Sequence, residues 1–174
     1  AEMIAASDAI VTFDPNPRPA ALPDAGALRA RFNALLLHLD VVKLSDEDAG
    51  ILFPGLQPDD VLDAVLGTGT GLAILTRGAR GAVLATTERR IEFPANPAKV
   101  VDTIGAGDSY MAAVLARVAR IPKADLADAL TAPGVLEDLA AFAARASAVT
   151  VGRPGADPPW APEIQVDAWA IESV

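Results

Sequence analysis

The run Asp102-Thr103-Ile104-Gly105-Ala106-Gly107-Asp108 sets two carboxylates on either side of three small residues, immediately before an apolar stretch. Small residues let a backbone approach a ligand closely, and the first N–H groups of a following helix have no internal acceptors. A phosphoryl group at such a turn is held by backbone donors and the positive helix end. Asp108, at the mouth, is placed to take a proton from an attacking hydroxyl. Phosphoryl transfer requires this pairing of charge stabilisation with an oriented nucleophile. The same residues also suit an ordinary glycine turn in which Asp108 supports the helix macrodipole, and chemistry alone leaves both readings open.

The elements that must position this turn follow from periodicity and breakers. Ala9 to Phe13 is a short β-rich apolar run ending at the breaker string DPNPRP, as a buried parallel strand followed by a loop would. Ala25 to Leu39 carries Leu28, Phe32, Leu35, Leu36 and Leu39 at helical spacings. Asp40 to Leu44 reads as a strand, and Ser45 with Asp48 as the start of a helix through a near capping box. Pro58 to Leu66 predicts a helix. Leu72 to Thr76 is a third strand; the turn RGARG then leads into Ala82 to Thr86 and Arg90 to Phe93 as a hairpin or meander. Helices are expected from about Ser109 to Arg120, Lys123 to Leu130 and Leu136 to Val149, followed by the Pro- and Gly-rich segment GRPGADPPWAP looping over the surface.

Strands alternating with helices imply an α/β fold: an open, mostly parallel, Rossmann-like sheet flanked by helices. In such sheets ligands bind beyond the carboxyl ends of the strands. The loops DPNPR, KLSDED, TRGARG and DTIGAGD each follow a strand and are expected on one edge.

Composition bounds the rest. With 174 residues and 52% hydrophobic content, the chain is expected to form a single domain with a sizeable core. A net charge of −9 opposes phosphate backbones and anionic membrane surfaces, so neither a nucleic-acid nor a membrane partner is expected. The absence of cysteine excludes disulfides and thiolate chemistry. No basic n-region opens the N-terminus, which contains Glu2 and Asp8, and a cytoplasmic protein is the simplest expectation. His38 is the single imidazole and falls in the predicted Leu-rich helix. Trp160 and Trp169 are expected to pack rather than to stack on a ligand.

The segment VVDTIGAGDSYMAAVLARV resembles the C-terminal signature of the ribokinase-like (PfkB) carbohydrate kinases. That pattern is an Asp, a small-residue loop ending in Gly-Asp, and a small-residue helix. The resemblance extends through most of the chain. It implies ATP-dependent phosphorylation of a sugar hydroxyl, with Asp108 as general base and substrate contact and the N–H groups of Gly105, Ala106 and Gly107 as the anion hole. It implies that Thr76, Arg77, Gly78, Ala79, Arg80 and Gly81 lie along the nucleotide phosphates. AVTVGRPGADPP is similar to the segment that closes over the adenine. With the Asp102 loop, it implies a monovalent cation (K+) site lined by Asp102, Ile104, Thr150, Arg153 and Gly155. Pro159 stands where the family often has a hydroxyl residue.

KLSDED falls where the family commonly has Asn-x-x-Glu near magnesium (Mg2+) and the phosphates. The matching positions here are Ser45, beside the nucleotide, and Asp48, holding Mg2+ through water; a helix cap fits both residues equally well. DPNPR resembles the loop of fructokinases and 2-keto-3-deoxygluconate kinases, which implies Asn16 and Arg18 as sugar contacts, although Asp-Pro-Asn-Pro is also a plain turn former.

The chain resembles only the C-terminal ATP-binding and catalytic part of such an enzyme, without the N-terminal lid and its earlier Gly-Gly signature. A homodimer of the full-length protein stays open, because the lid that often mediates it is missing. Two other functions remain: a non-catalytic nucleotide-binding module or pseudokinase, and a kinase for a nucleoside within the same family.

Overall fold

A computed structural model describes residues 8–18 and 24–164. The elements run β1 (Thr12–Phe13), α1 (Ala25–Leu36), β2 (Val41–Ser45), α2 (Asp46–Leu52), α3 (Pro58–Leu66), β3 (Leu72–Thr76), β4 (Ala82–Ala85), β5 (Arg90–Phe93), α4 (Ala106–Val118), α5 (Leu126–Thr131) and α6 (Val135–Val151). Short 3-10 turns cover Gly78–Arg80, Lys123–Asp125 and Ala161–Glu163. The strands form one sheet in the order β1-β2-β3-β4-β5. The pairings β1 with β2 and β2 with β3 are parallel, whereas β3 with β4 and β4 with β5 are antiparallel. Only β4 therefore runs against the common direction, and the expected mostly parallel sheet ends in the expected meander.

Side-chain alternation divides the core in two. On one face Val41, Leu72, Ile74 and Leu84 pack against Val114, Leu136, Leu139 and Ala143 of α4 and α6. On the other, Val42, Leu44, Leu75 and Val83 pack against Phe32 and Leu36 of α1, Leu52 of α2 and Leu62 of α3. β2 and β3 are buried on both faces, so they read as continuous apolar runs rather than alternating ones. Arg117 of α4 lies over the Phe142 ring of α6, 4.3 Å from its centroid. A buried 2.7 Å hydrogen bond from Thr150 Oγ1 to Ser109 Oγ joins the same two helices near the start of α4.

Several boundaries depart from the sequence reading. α1 stops at Leu36, where two tight turns, His38 N–H to Leu35 O and Leu39 N–H to Leu36 O, swing Leu39 into the core below β2. His38 therefore lies in the turn after the helix, not within it. α4 begins at Ala106, three residues before the expected start, because Gly105 rather than Asp108 caps it. The segment expected as a helix from Lys123 opens with a 3-10 turn. Trp160 does not pack; it is 78% exposed. Trp169 lies outside the described residues. Among the described residues no helix is long and apolar enough to cross a membrane.

Leu139 is fully buried between sheet and helices, and Leu37 is largely exposed. Leu139→Ala should lower unfolding free energy by about 2–5 kcal/mol, and Leu37→Ala by less than about 0.5 kcal/mol. Urea midpoints of the two variants check the placement of the core.

Candidate active site

Three strand ends and one helix start meet at a single sheet edge. β1 leads into Asp14, β2 into Ser45 and β3 into Thr76. The helix is α4, whose first turn abuts the side chain of Lys43: a Cβ added at Gly107 would sit 3.2 Å from Lys43 Nζ.

The turn into α4 is held by one carboxylate. Asp102 Oδ1 accepts the Ile104 N–H at 3.0 Å, and Asp102 Oδ2 accepts the Gly155 N–H at 3.0 Å. Val101 N–H also donates to Val151 O at 2.7 Å, which fixes the loop to the end of α6. Gly105 then adopts φ +78, and a Cβ there would come within 2.8 Å of the Ala156 Cβ. Both the left-handed conformation and the close approach require glycine.

Ala106 N–H bonds Thr103 O at 3.3 Å. The N–H groups of Gly105, Gly107 and Asp108 have no acceptor among the described residues. The free donors at this helix start thus share Gly105 and Gly107 with the expected set, with Asp108 in place of Ala106. The Asp108 carboxylate is exposed in the first turn and makes no hydrogen bond to a described residue. This combination, orphan donors beside an unengaged carboxylate, can hold an anion and accept a proton at one place.

The structure brings Asp14, Lys43, Asp48 and Asp108 into one electrostatic neighbourhood. Lys43 Nζ lies 2.7 Å from Asp14 Oδ2, with side-chain exposures of 4% and 15%. Burial pushes the Asp14 carboxyl above the usual carboxylate range; the attraction of Lys43 opposes this shift, and Asp48 and Asp108 add to it. Lys43 was absent from the sequence-derived site. The signal was present in DVVKL, where one ammonium interrupts a strand otherwise apolar on both faces, because lysine is almost never fully buried without a partner.

The other expected site residues are placed as follows. Ser45 Oγ accepts the Asp48 N–H at 3.0 Å and Asp48 Oδ2 accepts the Ser45 N–H at 2.9 Å, a complete capping box. Asp48 Oδ1 makes no hydrogen bond among the described residues, which leaves it available for a water. Thr76 Oγ1 donates to Leu44 O at 3.3 Å. Gly78, Ala79 and Arg80 form a 3-10 turn closed by Gly81 N–H to Gly78 O. Arg77 pairs with Glu92 at 3.0 Å and Arg80 with Asp46 at 2.9 Å, so both guanidinium groups already have carboxylate partners. Asn16 takes φ 40 in an exposed turn, and Arg18 is exposed beside it. Thr150 points its hydroxyl at Ser109 and Ala146 O, and its carbonyl accepts the Arg153 N–H at 3.1 Å. Arg153 pairs with Glu163 and, at 3.5 Å, with Asp157. Beside the Asp102 loop, Lys99, Val101, Arg145, Val149 and Ile164 line an open cleft of about 450 Å³.

Residues 1–163 match the model of the pfkB family carbohydrate kinases. The chain belongs to this family. It is 40% identical over 113 residues to a fructokinase of Rhizobium leguminosarum bv. trifolii, covering 64% of this chain and 34% of that protein. A probable fructokinase-5 of Arabidopsis thaliana is 30% identical over 161 residues, covering 91% of this chain and 48% of its own. Among solved structures, the fructokinase of Xylella fastidiosa with bound ATP superimposes with a TM-score of 0.78 at 30% identity, covering 87% and 48%. A fructokinase double mutant of Vibrio cholerae O395, bound to fructose, ADP and potassium ion, gives 0.72 at 26%, covering 84% and 46%. The chain spans between a third and a half of the length of these relatives.

The Asp102 carboxyl is held below the usual range by the Ile104 N–H first and the Gly155 N–H second, both donating to its charged form. A depressed folded value means that the latch contributes fully above the unfolded value, 3.8. The contribution is lost as pH falls below that through the folded value. Near neutral pH, Asp102→Ala should speed amide exchange at Ile104 and Gly155 by about tenfold or more, as expected for losing charge-assisted bonds. Unchanged protection of both amides would remove the latch from the account.

Proposed function

We propose that the protein carrying this chain transfers the γ-phosphoryl group of ATP to a hydroxyl of a sugar, fructose-like in kind. The observation that carries this reading is the first turn of α4, which holds both the unengaged N–H groups of Gly105, Gly107 and Asp108 and the Asp108 carboxylate, itself without a partner among the described residues. The hydroxyl oxygen forms the new bond to phosphorus while the bond from phosphorus to the β–γ bridging oxygen breaks and ADP leaves. The hydroxyl proton passes to Asp108, and the orphan N–H groups hold the charge on the transferring group.

The cleft between the 96–101 segment and α6 suits an adenine, with Val101, Val149 and Ile164 as apolar walls. The TRGARG turn at the end of β3 suits the phosphate chain between cleft and base, with Arg77 and Arg80 as its rim. Asn16 and Arg18, on the loop after β1, are proposed to face the sugar. The fit to metals differs. Among the described residues no group of three acidic or imidazole side chains could cage a metal ion. This agrees with Mg2+ held mainly by phosphates and waters, with Asp48 Oδ1 reaching one water. Bound there, Mg2+ would neutralise phosphate charge. The carbonyls of Ile104, Thr150, Arg153 and Gly155, with the Asp102 carboxylate, are the hard oxygen donors a monovalent cation requires, and a cation there would reinforce the latch. The relatives are named as kinases and Asp108 is free, so catalysis is preferred over a binding module.

Asp108→Asn in the intact enzyme should reduce kcat by about 10²–10⁴-fold with ATP affinity changed by little. A coupled ADP-release assay with fructose checks the first and calorimetry the second. Turnover within about tenfold of wild type would overturn the assignment of the base.

A further inference from the structure

Lys43 is costly where it stands. Its side chain is 4% exposed, and removing an ammonium from water costs several kcal/mol before any pairing. Among the described residues its only partner is Asp14 Oδ2, which takes one of three N–H donors. Asp14 Oδ1 is buried with no partner. Lys43 lies on the face of the sheet that bears α4, beyond Val41 in the same strand. Its Nζ lies beside Gly107, at the positive end of that helix. A cation at a helix N-terminus opposes the macrodipole, and although Asp14 pairs with it and Asp48 and Asp108 lie near that pair, these carboxylates leave two ammonium donors without a use. An anion arriving at the same place supplies one.

We propose that Lys43 is a further catalytic residue of this site: its two remaining N–H donors bind the transferring phosphoryl group together with the α4 amides, and Asp14 is the positioning residue that aims it. This rests on the phosphoryl-transfer reading above. Gly107 completes the arrangement, because a Cβ there would stand 3.2 Å from the ammonium and crowd it. The same charge opposes the upward push that burial exerts on the Asp14 carboxyl. The chemical step is unchanged: Lys43 stays protonated and gives up no proton.

The test compares binding of ADP with binding of ADP plus aluminium fluoride, both with magnesium, by calorimetry on the intact enzyme. Wild type should prefer the fluoride complex. Lys43→Met should reduce that preference by about 10- to 100-fold, the value of hydrogen bonds to a charged group, with the Kd for ADP alone changed by less than about threefold. The neutral double variant Asp14→Asn/Lys43→Met separates function from folding, since it leaves no unpaired buried charge. Its Tm should return toward wild type, while the preference and kcat stay low. A preference retained in Lys43→Met, or regained in the double variant, would reduce Lys43 to a charge partner of Asp14. Absence of any preference in wild type would instead overturn the phosphoryl site itself, and this assignment with it.

Discussion

The start of α4 is fixed by a left-handed glycine, and the rest of the site depends on that placement. Gly105 turns the chain at φ +78 against Ala156. The Asp102 carboxylate ties the turn to the Gly155 amide, and Ser109 ties the first turn of the helix to Thr150. Helix and loop are thereby held to α6, which packs on the sheet. The N–H groups left without acceptors are therefore not a frayed end; they are presented by a rigid frame, as a site that must hold its geometry requires.

The second constraint is electrostatic. A sheet edge that gathers Asp14, Asp48 and Asp108 would repel the phosphates it is proposed to receive. Lys43 and the positive end of α4 offset that charge from below, while Arg77 and Arg80, paired to Glu92 and Asp46, keep their guanidinium groups at the rim. Carboxylates available for proton and water contacts and donors available for the phosphoryl group thus share one small region without cancelling each other.

Much of this was legible in the sequence, for identifiable reasons. β3, β5 and α3 match their expected bounds, since breakers or a helix-starting Pro58 sit at their ends. The Ser45 and Asp48 capping box was readable from spacing alone. What was not legible depended on partners distant in sequence. Nothing near Arg77 or Arg80 announces Glu92 or Asp46, and nothing near Ser109 announces Thr150. The early start of α4 follows from Gly105 capping the helix in the left-handed conformation, and the close approach of Ala156 that also requires glycine there is a contact no local pattern encodes. DVVKL reads as a strand from its composition, whereas the partner that lets Lys43 be buried in it, Asp14, lies 29 residues away in sequence.

The central claim is that the amides at the start of α4 bind phosphate oxygens. Amide NMR of the 15N-labelled protein during titration with a non-hydrolysable ATP analogue and magnesium tests it directly. The account predicts downfield proton shifts concentrated at Gly105, Gly107 and Asp108, because a hydrogen bond to an anion deshields the donor proton, with Ala106 moving less. Shifts that leave these three amides unchanged and cluster elsewhere on the fold would contradict it.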